Sequence, residues 1–286
     1  MNAYRKSIVL FTLPVTLALL GLLLYPLLYA GWISVHGSVA GQRNQFVGAA
    51  NFLSLLTSSE FAVAARNTTI FTVTSTVASF LLGFSLAVAM QQVSKPLRWV
   101  ATLLILPLAV MPVVSGLTWG MMLNPSLGVV NALLQTIGVQ GPLWATDTTT
   151  ALATVIMIDV WQWTPFCYLI LFAGLQALPH EPFEAARIDG AGAWHQFRFV
   201  TVPLLAPIIL ITLIFRLMEA FRAYDVIYVI TQGGPGDATQ TMLMRAYYQG
   251  FQFHNFNMAA VYGILMLIIT TVVAQYAVKL MNRSEV

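Results

Sequence analysis

Six apolar stretches, at about 8–35, 67–91, 98–122, 150–178, 204–230 and 257–280, govern what this chain can fold into. A helix needs roughly 20 apolar residues to cross the hydrocarbon core of a bilayer, and each stretch supplies that length. Lipid offers no water to satisfy the backbone, so such segments have to be helical. Composition points to the same solvent: 58% of the residues are hydrophobic and 8% are charged, against about a quarter charged in ordinary soluble domains. The expected fold class is all-α, a polytopic membrane protein of about six transmembrane helices forming one domain over 1–286.

The first stretch follows Arg5 and Lys6, as a secretory signal does, but it runs on to about Val35 without a small-residue cleavage site. It reads as a retained first span. A net charge of +3, from 13 Lys+Arg and 10 Asp+Glu, is too weak and scattered for nucleic acid. The single cysteine, Cys167, excludes a disulfide framework and a Cys-based metal site. His36, His180, His195 and His254 are dispersed among loops without metal or triad spacing. No catalytic residue and no metal site are expected, which argues against a membrane enzyme.

Positive charges orient the spans. Arg5, Lys6, Lys95, Arg98, Arg187, Arg198, Lys279 and Arg283 fall on one side, and Arg43, Arg66 and Arg245 on the other. The richer side is expected to be cytoplasmic, with both termini inside and external loops at 36–66, 123–149 and 231–256. Within the first of these, the amphipathic run from Phe46 to Leu56 is too short and polar to span and reads as an interfacial helix. Prolines inside the spans, Pro14, Pro26, Pro107, Pro112 and Pro165, are tolerated where neighbours satisfy the freed carbonyls. They read as packing kinks, or at Pro107, Pro112 and Pro165 as openings for a translocation path.

The cytoplasmic loop 179–203 predicts a helical elbow. Glu181 to Arg187 forms a short helix with Pro182 in its first turn, Glu181 and Glu184 at its positive end, and Gly190 as its stop. A second short helix over 193–200, carrying Trp194, Phe197 and Phe199, ends before Pro203. Exposed apolar groups on such an elbow read as a docking surface, or as one side of a solvated hairpin.

The run Glu184-Ala185-Ala186, three residues, Gly190, nine residues, then Val200-x-Val202-Pro203 resembles the EAA motif of ABC importer permeases. Asp189-Gly190-Ala191 and Pro203 match it fully, while Val200 and Val202 stand where Ile and Leu are usual. Thr231-Gln232-Gly233-Gly234-Pro235-Gly236 with Thr239 resembles the external loop of the carbohydrate branch. Phe46-Val47-Gly48 with Asn51-Phe52 and then Arg66-Asn67-Thr68 resembles the first external segment of that branch. The resemblance is to the first permease of a pair, of maltose, glycerophosphate or trehalose type. It implies an inner-membrane component of a binding-protein-dependent importer in a bacterial or archaeal cytoplasmic membrane. Its implied partners are a second, different permease chain, two ATP-binding subunits and an external substrate-binding protein. ATP and Mg would be held by the ATPase, because this chain has no phosphate-binding Gly-x-x-x-x-Gly-Lys-Ser/Thr run. The elbow residues Glu184, Ala185, Ala186, Asp189, Gly190 and Pro203 would couple ATP-driven closure to the spans, with Glu184 facing a basic residue of the ATPase.

Charges deep in a span are costly and mark function by default. The fifth span carries Arg216, Glu219, Arg222 and Asp225 at steps of three. They read either as an ion-pair ladder along one helix side or as a polar lining for a hydroxyl-rich substrate, with Phe221, Tyr224 and Tyr228 adding apolar faces. The fourth span adds Asp159, Trp161, Gln162 and Trp163. Trp161 reads as belt or packing, Trp163 as pathway. By the same resemblance, the positions matching the sugar site of maltose-type permeases are Leu108, Pro112, Gln162, Trp163, Arg216, Glu219, Ala220 and Ala223. Their charged and aromatic character departs from the maltose subunit. The string from Phe215 to Asp225 is closer to trehalose-type and polyol-type permeases. The expected cargo is a di- or oligosaccharide such as a trehalose-like sugar, or a polyol, with an anionic sugar or glycerol phosphate as the alternative. A secondary transporter or channel is the rival from another class; it has no use for a coupling elbow.

The topology is testable with single-cysteine variants after replacement of Cys167. Cysteines at Gln135 and Gly236 should label with an impermeant thiol reagent applied outside, and those at Lys95 and His195 should not. External labelling at His195 would reverse the orientation.

Overall fold

Two close helix approaches, each made by a glycine, set the packing of the larger part of the chain. The computed structural model describes residues 2–39, 42–91 and 99–284; Lys95 and Arg98, used above for orientation, lie outside them. Five helices are long and apolar enough to cross a membrane, namely Leu10–Ser34, Ser59–Gln91, Ala151–Gln176, Ala193–Ile230 and Phe256–Tyr276, and a bent pair supplies the sixth. The chain divides into two units, one of Met1–Ala62 with Arg245–Ile269 and one of Val63–Met244 with Thr270–Val286.

The first unit holds α1 (Asn2–Ser34), the antiparallel hairpin β1 (His36–Val39) and β2 (Gln42–Phe46), and α2 (Ala50–Leu56). It also holds the first turn of α3 (Ser59–Gln91) and the N-terminal half of α13 (Phe256–Ser284). The carbonyls left over at the end of α1 need donors, and two asparagines supply them. Asn51 Nδ2 donates to Ser34 and His36, both at 2.9 Å. Asn257 Nδ2 donates to Ile33 at 2.9 Å and His36 at 2.5 Å. Gly48, at φ +57°, turns the chain from hairpin to helix. The hairpin was not expected, and the interfacial helix is shorter than the run from Phe46 to Leu56. Helix α3 starts at Ser59 rather than about 67. Ser58 Oγ accepts the Phe61 N–H at 3.1 Å and Glu60 sits in the first turn, so local capping extends the helix beyond the apolar run.

The second unit is arranged around α7 (Ala151–Gln176), which is buried on several faces and packs against α4 (Trp99–Ala109), α5 (Pro112–Met122), α10 (Val202–Phe221) and α11 (Asp225–Ile230); the short α6 (Val129–Thr136) precedes α7 in the chain and α12 (Met242–Tyr247) follows α11. Gly83 of α3 lies directly on the α7 backbone. A Cβ there would meet Cys167 Cβ at 2.6 Å, the Tyr168 nitrogen at 2.8 Å and the Thr164 carbonyl at 3.0 Å. Gly174 of α7 likewise admits Leu205 and Ile208 of α10. Around these contacts Ala87, Tyr168, Leu171, Leu175 and Leu205 form one apolar cluster.

The third span, the fifth span and the elbow differ from their sequence reading. The third is not one kinked helix: α4 and α5 meet at 98°. Pro112 has no N–H to continue the helix, and Met111 stays extended at ψ 139° as the residue before proline must. The fifth is interrupted at Arg222, Ala223 and Tyr224 between α10 and α11; no proline or glycine marks the break, though Asp225 favours a restart. The elbow's second helix, α9 (Ala193–Gln196), does not stop before Pro203. It passes through a π-helical turn, Phe197–Thr201, into α10. Val202 donates to the Phe197 carbonyl five residues back, so the wider turn absorbs the donor that Pro203 lacks.

Gly83→Val should force α3 off α7 and cost about 1–3 kcal/mol, the usual range for overpacking. Gly21→Val in α1, where nothing lies within 4 Å, should change little. Thermal unfolding of the two purified variants in detergent compares them directly.

Candidate functional site: a buried ion pair beside two helix breaks

Arg216 of α10 is wholly buried and Asp159 of α7 is 3% exposed. The Arg216 Nη2 donates to Asp159 Oδ2, and Nε donates to Ser79 Oγ of α3 at 2.8 Å. The guanidinium carbon lies 5.6 Å from the Trp163 ring centroid, within cation–π range. One arginine thereby joins three helices. A lone charge at mid-bilayer costs about 2.5–3.5 kcal/mol on insertion scales, and the pairing offsets that. Along α10 the ladder expected from the spacing forms only in part: Arg222 pairs with Glu219, while Arg216 turns to α7 instead of Glu219.

Next to this pair is a cavity of about 90 Å³ lined by Asp159, Trp163, Glu219, Arg222 and Ala223, all expected pathway residues. Pro112, at the start of α5, and Tyr224, Asp225 and Val226, at the α10–α11 break, complete it. Both broken spans thus meet α7 at one place, and α5 packs on α11, where a Cβ on Gly116 would sit 3.1 Å from Val229. Ligand pockets run from roughly 300 Å³ upward, so the cavity is closed in this state to anything the size of a sugar. Its chemistry is carboxylate, guanidinium and aromatic face together, with Tyr224 and Tyr228 stacked at 5.3 Å.

The other expected pathway residues sit elsewhere. Gln162 is buried and its Nε2 donates to the Val110 carbonyl at 2.8 Å. That carbonyl lies at the α4–α5 bend, so Gln162 holds the bend. Ala220 is buried and Leu108 half-buried, and neither lines the cavity. The sequence reading missed Ser75 and Ser79, although a signal existed. Thr68, Thr72, Ser75, Thr76 and Ser79 recur at helical spacing and are all buried, giving α3 one small, polar face toward the pair.

Two further sequence signatures come together. Asn67 Nδ2 donates to the carbonyls of Asp237 at 2.8 Å and Gln240 at 3.1 Å, and Thr68 Oγ1 accepts the Met242 N–H at 2.9 Å. Thr239 Oγ1 donates to the Gly234 carbonyl at 3.0 Å. The Gly-Gly-Pro loop is therefore tied to α3, with Gly233 at φ +80°. In the elbow, α8 (Glu181–Ile188) ends in a Schellman turn: Ala191 N–H bonds Ala186 O at 2.9 Å and Gly190 N–H bonds Arg187 O at 3.0 Å, with Gly190 at φ +78°. Glu184, Ala185, Asp189, Gly190 and Pro203 are exposed and Ala186 is half-buried. Ile188, Trp194 and Phe199 show 86%, 70% and 58% of their surface beside them.

Removing one member of the buried pair should be severe. Arg216→Met or Asp159→Leu alone should lose about 3–5 kcal/mol, because each strands the opposite charge. The double variant should regain most of that in thermal unfolding, whereas Arg216→Met with Glu219→Gln should regain none.

Residues 79–284 match the family model described as "Binding-protein-dependent transport system inner membrane component". The chain is 36% identical to the trehalose/maltose transport system permease protein of Thermococcus litoralis, over 83% of this chain and 81% of that one. It is 31% identical to the sn-glycerol-3-phosphate transport system permease protein of Agrobacterium fabrum, over 85% and 83%. Its fold matches a permease chain of a bacterial ABC transporter for the acidic polysaccharide alginate, with a TM-score of 0.86 at 23% identity over 99% and 97% of the chains. That of an alginate transporter in complex with an alginate pentasaccharide-bound periplasmic protein matches at 0.83 and 22% identity, over 96% and 94%. This sets aside the secondary transporter and the channel: the chain belongs to the binding-protein-dependent transport inner membrane components, and is a multi-pass ABC importer permease, not itself an enzyme.

Proposed function

We propose that the chain forms one half of the translocation path for a hydroxyl-rich cargo, a di- or oligosaccharide or a polyol, in an ATP-driven importer. The observation that carries this reading is the cavity at the two helix breaks. It joins an aromatic face, Trp163, to carboxylate and guanidinium groups of Asp159, Glu219 and Arg222. Aromatic faces pack on sugar C–H surfaces, while ionised groups supply several acceptors and donors for hydroxyls. The trehalose/maltose relative supports the same cargo class.

The driving reaction belongs to partners. Two ATP-binding subunits hold ATP and Mg, a second and different permease chain completes the path, and an external binding protein delivers the cargo. The periplasmic protein seen with the alginate transporter supports that last partner. The elbow of α8 and α9 is the docking piece for an ATPase, with Glu184, Ala185, Ala186, Asp189 and Gly190 forming the contact. Its support is an apolar surface that water alone does not explain, Ile188 on α8 and Trp194 on α9, and the continuation of α9 into α10. Both termini lie in the cytoplasm, in keeping with the excess of Lys and Arg on that side.

In the assembled transporter, Gly190→Leu or Glu184→Lys should abolish ATP hydrolysis stimulated by the loaded binding protein. Gly190 has a left-handed φ that a branched residue resists, and Glu184 is exposed, so membrane insertion should be unchanged. Normal transport by both variants would refute the coupling role.

A further inference from the structure

The sequence leaves an anionic cargo open, because an intramembrane arginine serves a carboxylate or phosphate as well as a hydroxyl. The structure assigns the arginines. Arg216 has no exposed surface, gives Nη2 to Asp159 and Nε to Ser79, and leaves Nη1 buried without a hydrogen-bond partner among the described residues; it does not line the cavity. Arg222 is the only basic residue among the described residues that line it, and it is paired with Glu219. Against that one guanidinium the lining sets three carboxylates, Asp159, Glu219 and Asp225. Even with the Arg216 charge included, the acidic groups are in excess.

From this balance we propose that the cavity passes uncharged saccharides or polyols and rejects anionic ones, making the permease a second filter by charge after its binding protein. The inference rests on the sugar reading given above and narrows it. An anionic cargo would meet an excess of carboxylates at the lining, with the one lining guanidinium, Arg222, already paired to Glu219. A neutral cargo has the opposite experience. Carboxylates accept hydrogen bonds from hydroxyls, and the Trp163 face takes a C–H surface without any charge to satisfy. Fold does not make this choice, since permeases named for sn-glycerol-3-phosphate and for acidic alginate share this architecture. The side chains at the two breaks make it, so Glu219 and Asp225 are assigned as specificity-determining residues.

The test is made on the complete transporter in nanodiscs without binding protein, so that the first filter is absent. A panel of radiolabelled neutral disaccharides and polyols is bound at equilibrium and displaced by matched pairs of neutral sugar and uronate of the same ring skeleton. The neutral member should displace at least about tenfold better than its uronate, which corresponds to about 1.4 kcal/mol. Glu219→Gln with Asp225→Asn should shrink the gap to about threefold or less. Asp225→Asn alone, at an exposed position, should shrink it in part and leaves the Glu219–Arg222 pair intact should the double variant fail to assemble. Equal displacement by sugar and uronate in the parental transporter, or an unchanged gap in properly assembled variants, overturns the charge filter and leaves the sugar reading standing. Failure of every saccharide and polyol in the panel to bind overturns both.

Discussion

The burial of Arg216 against Asp159 is the constraint on which the rest of the larger unit depends. A guanidinium with no exposed surface is held in a membrane span by its ion pair and by the hydrogen bonds that its donors make, although Nη1 of Arg216 meets no hydrogen-bond partner among the described residues. Here one donor goes to α7, one to α3, and the face of the cation lies near Trp163. Those requirements fix the rotation of all three helices at once. The glycine contacts at Gly83 and Gly174 separately bring α3 and α10 close to α7. The placement of Asp159 and Trp163 at the cavity edge is a by-product of the same geometry.

Helix breaks supply what straight spans cannot. Between α4 and α5, and between α10 and α11, backbone groups leave the helical ladder inside the membrane-spanning part of the chain. Non-helical backbone at that depth persists only where protein or a polar cavity receives it. Gln162 receives the Val110 carbonyl, and the cavity lies where the two breaks meet. Structural irregularity and polar lining therefore have a common location, which the apolar spans around them isolate.

Much of this was legible in the residues and some was not. Span number and position follow from apolar length alone, because bilayer thickness leaves little choice. Gly190 was legible because a glycine after a short, N-terminally acidic helix has one common use, and its Schellman turn is that use. The partner of Arg216 was not. Its charged neighbours in sequence are on its own helix, whereas Asp159 is 57 positions away, and no periodicity links the two helices. The 98° bend was hidden because Pro107 and Pro112 are compatible with gentle kinks, and only the tertiary bond from Gln162 distinguishes a sharp turn. The break at Ala223 carries no helix breaker at all. The hairpin after α1 escaped because its strands are polar and short, without the alternation that marks a buried strand.

The passage of α9 through the π-helical turn into α10 has a mechanical corollary. From Ala193 to Phe221 the chain is helical without interruption through the π-helical turn, which at about 1.5 Å per residue is about 44 Å long. It ends at the break over Arg222, Ala223 and Tyr224, all three of which line the cavity. A hydrogen-bonded helix bends and stretches little, so a displacement at the elbow reaches that break almost undiminished. Under the coupling reading proposed above, the segment is a push-rod with its slack at the far end, and work done on the elbow would be delivered to the cavity wall instead of being dissipated along the way.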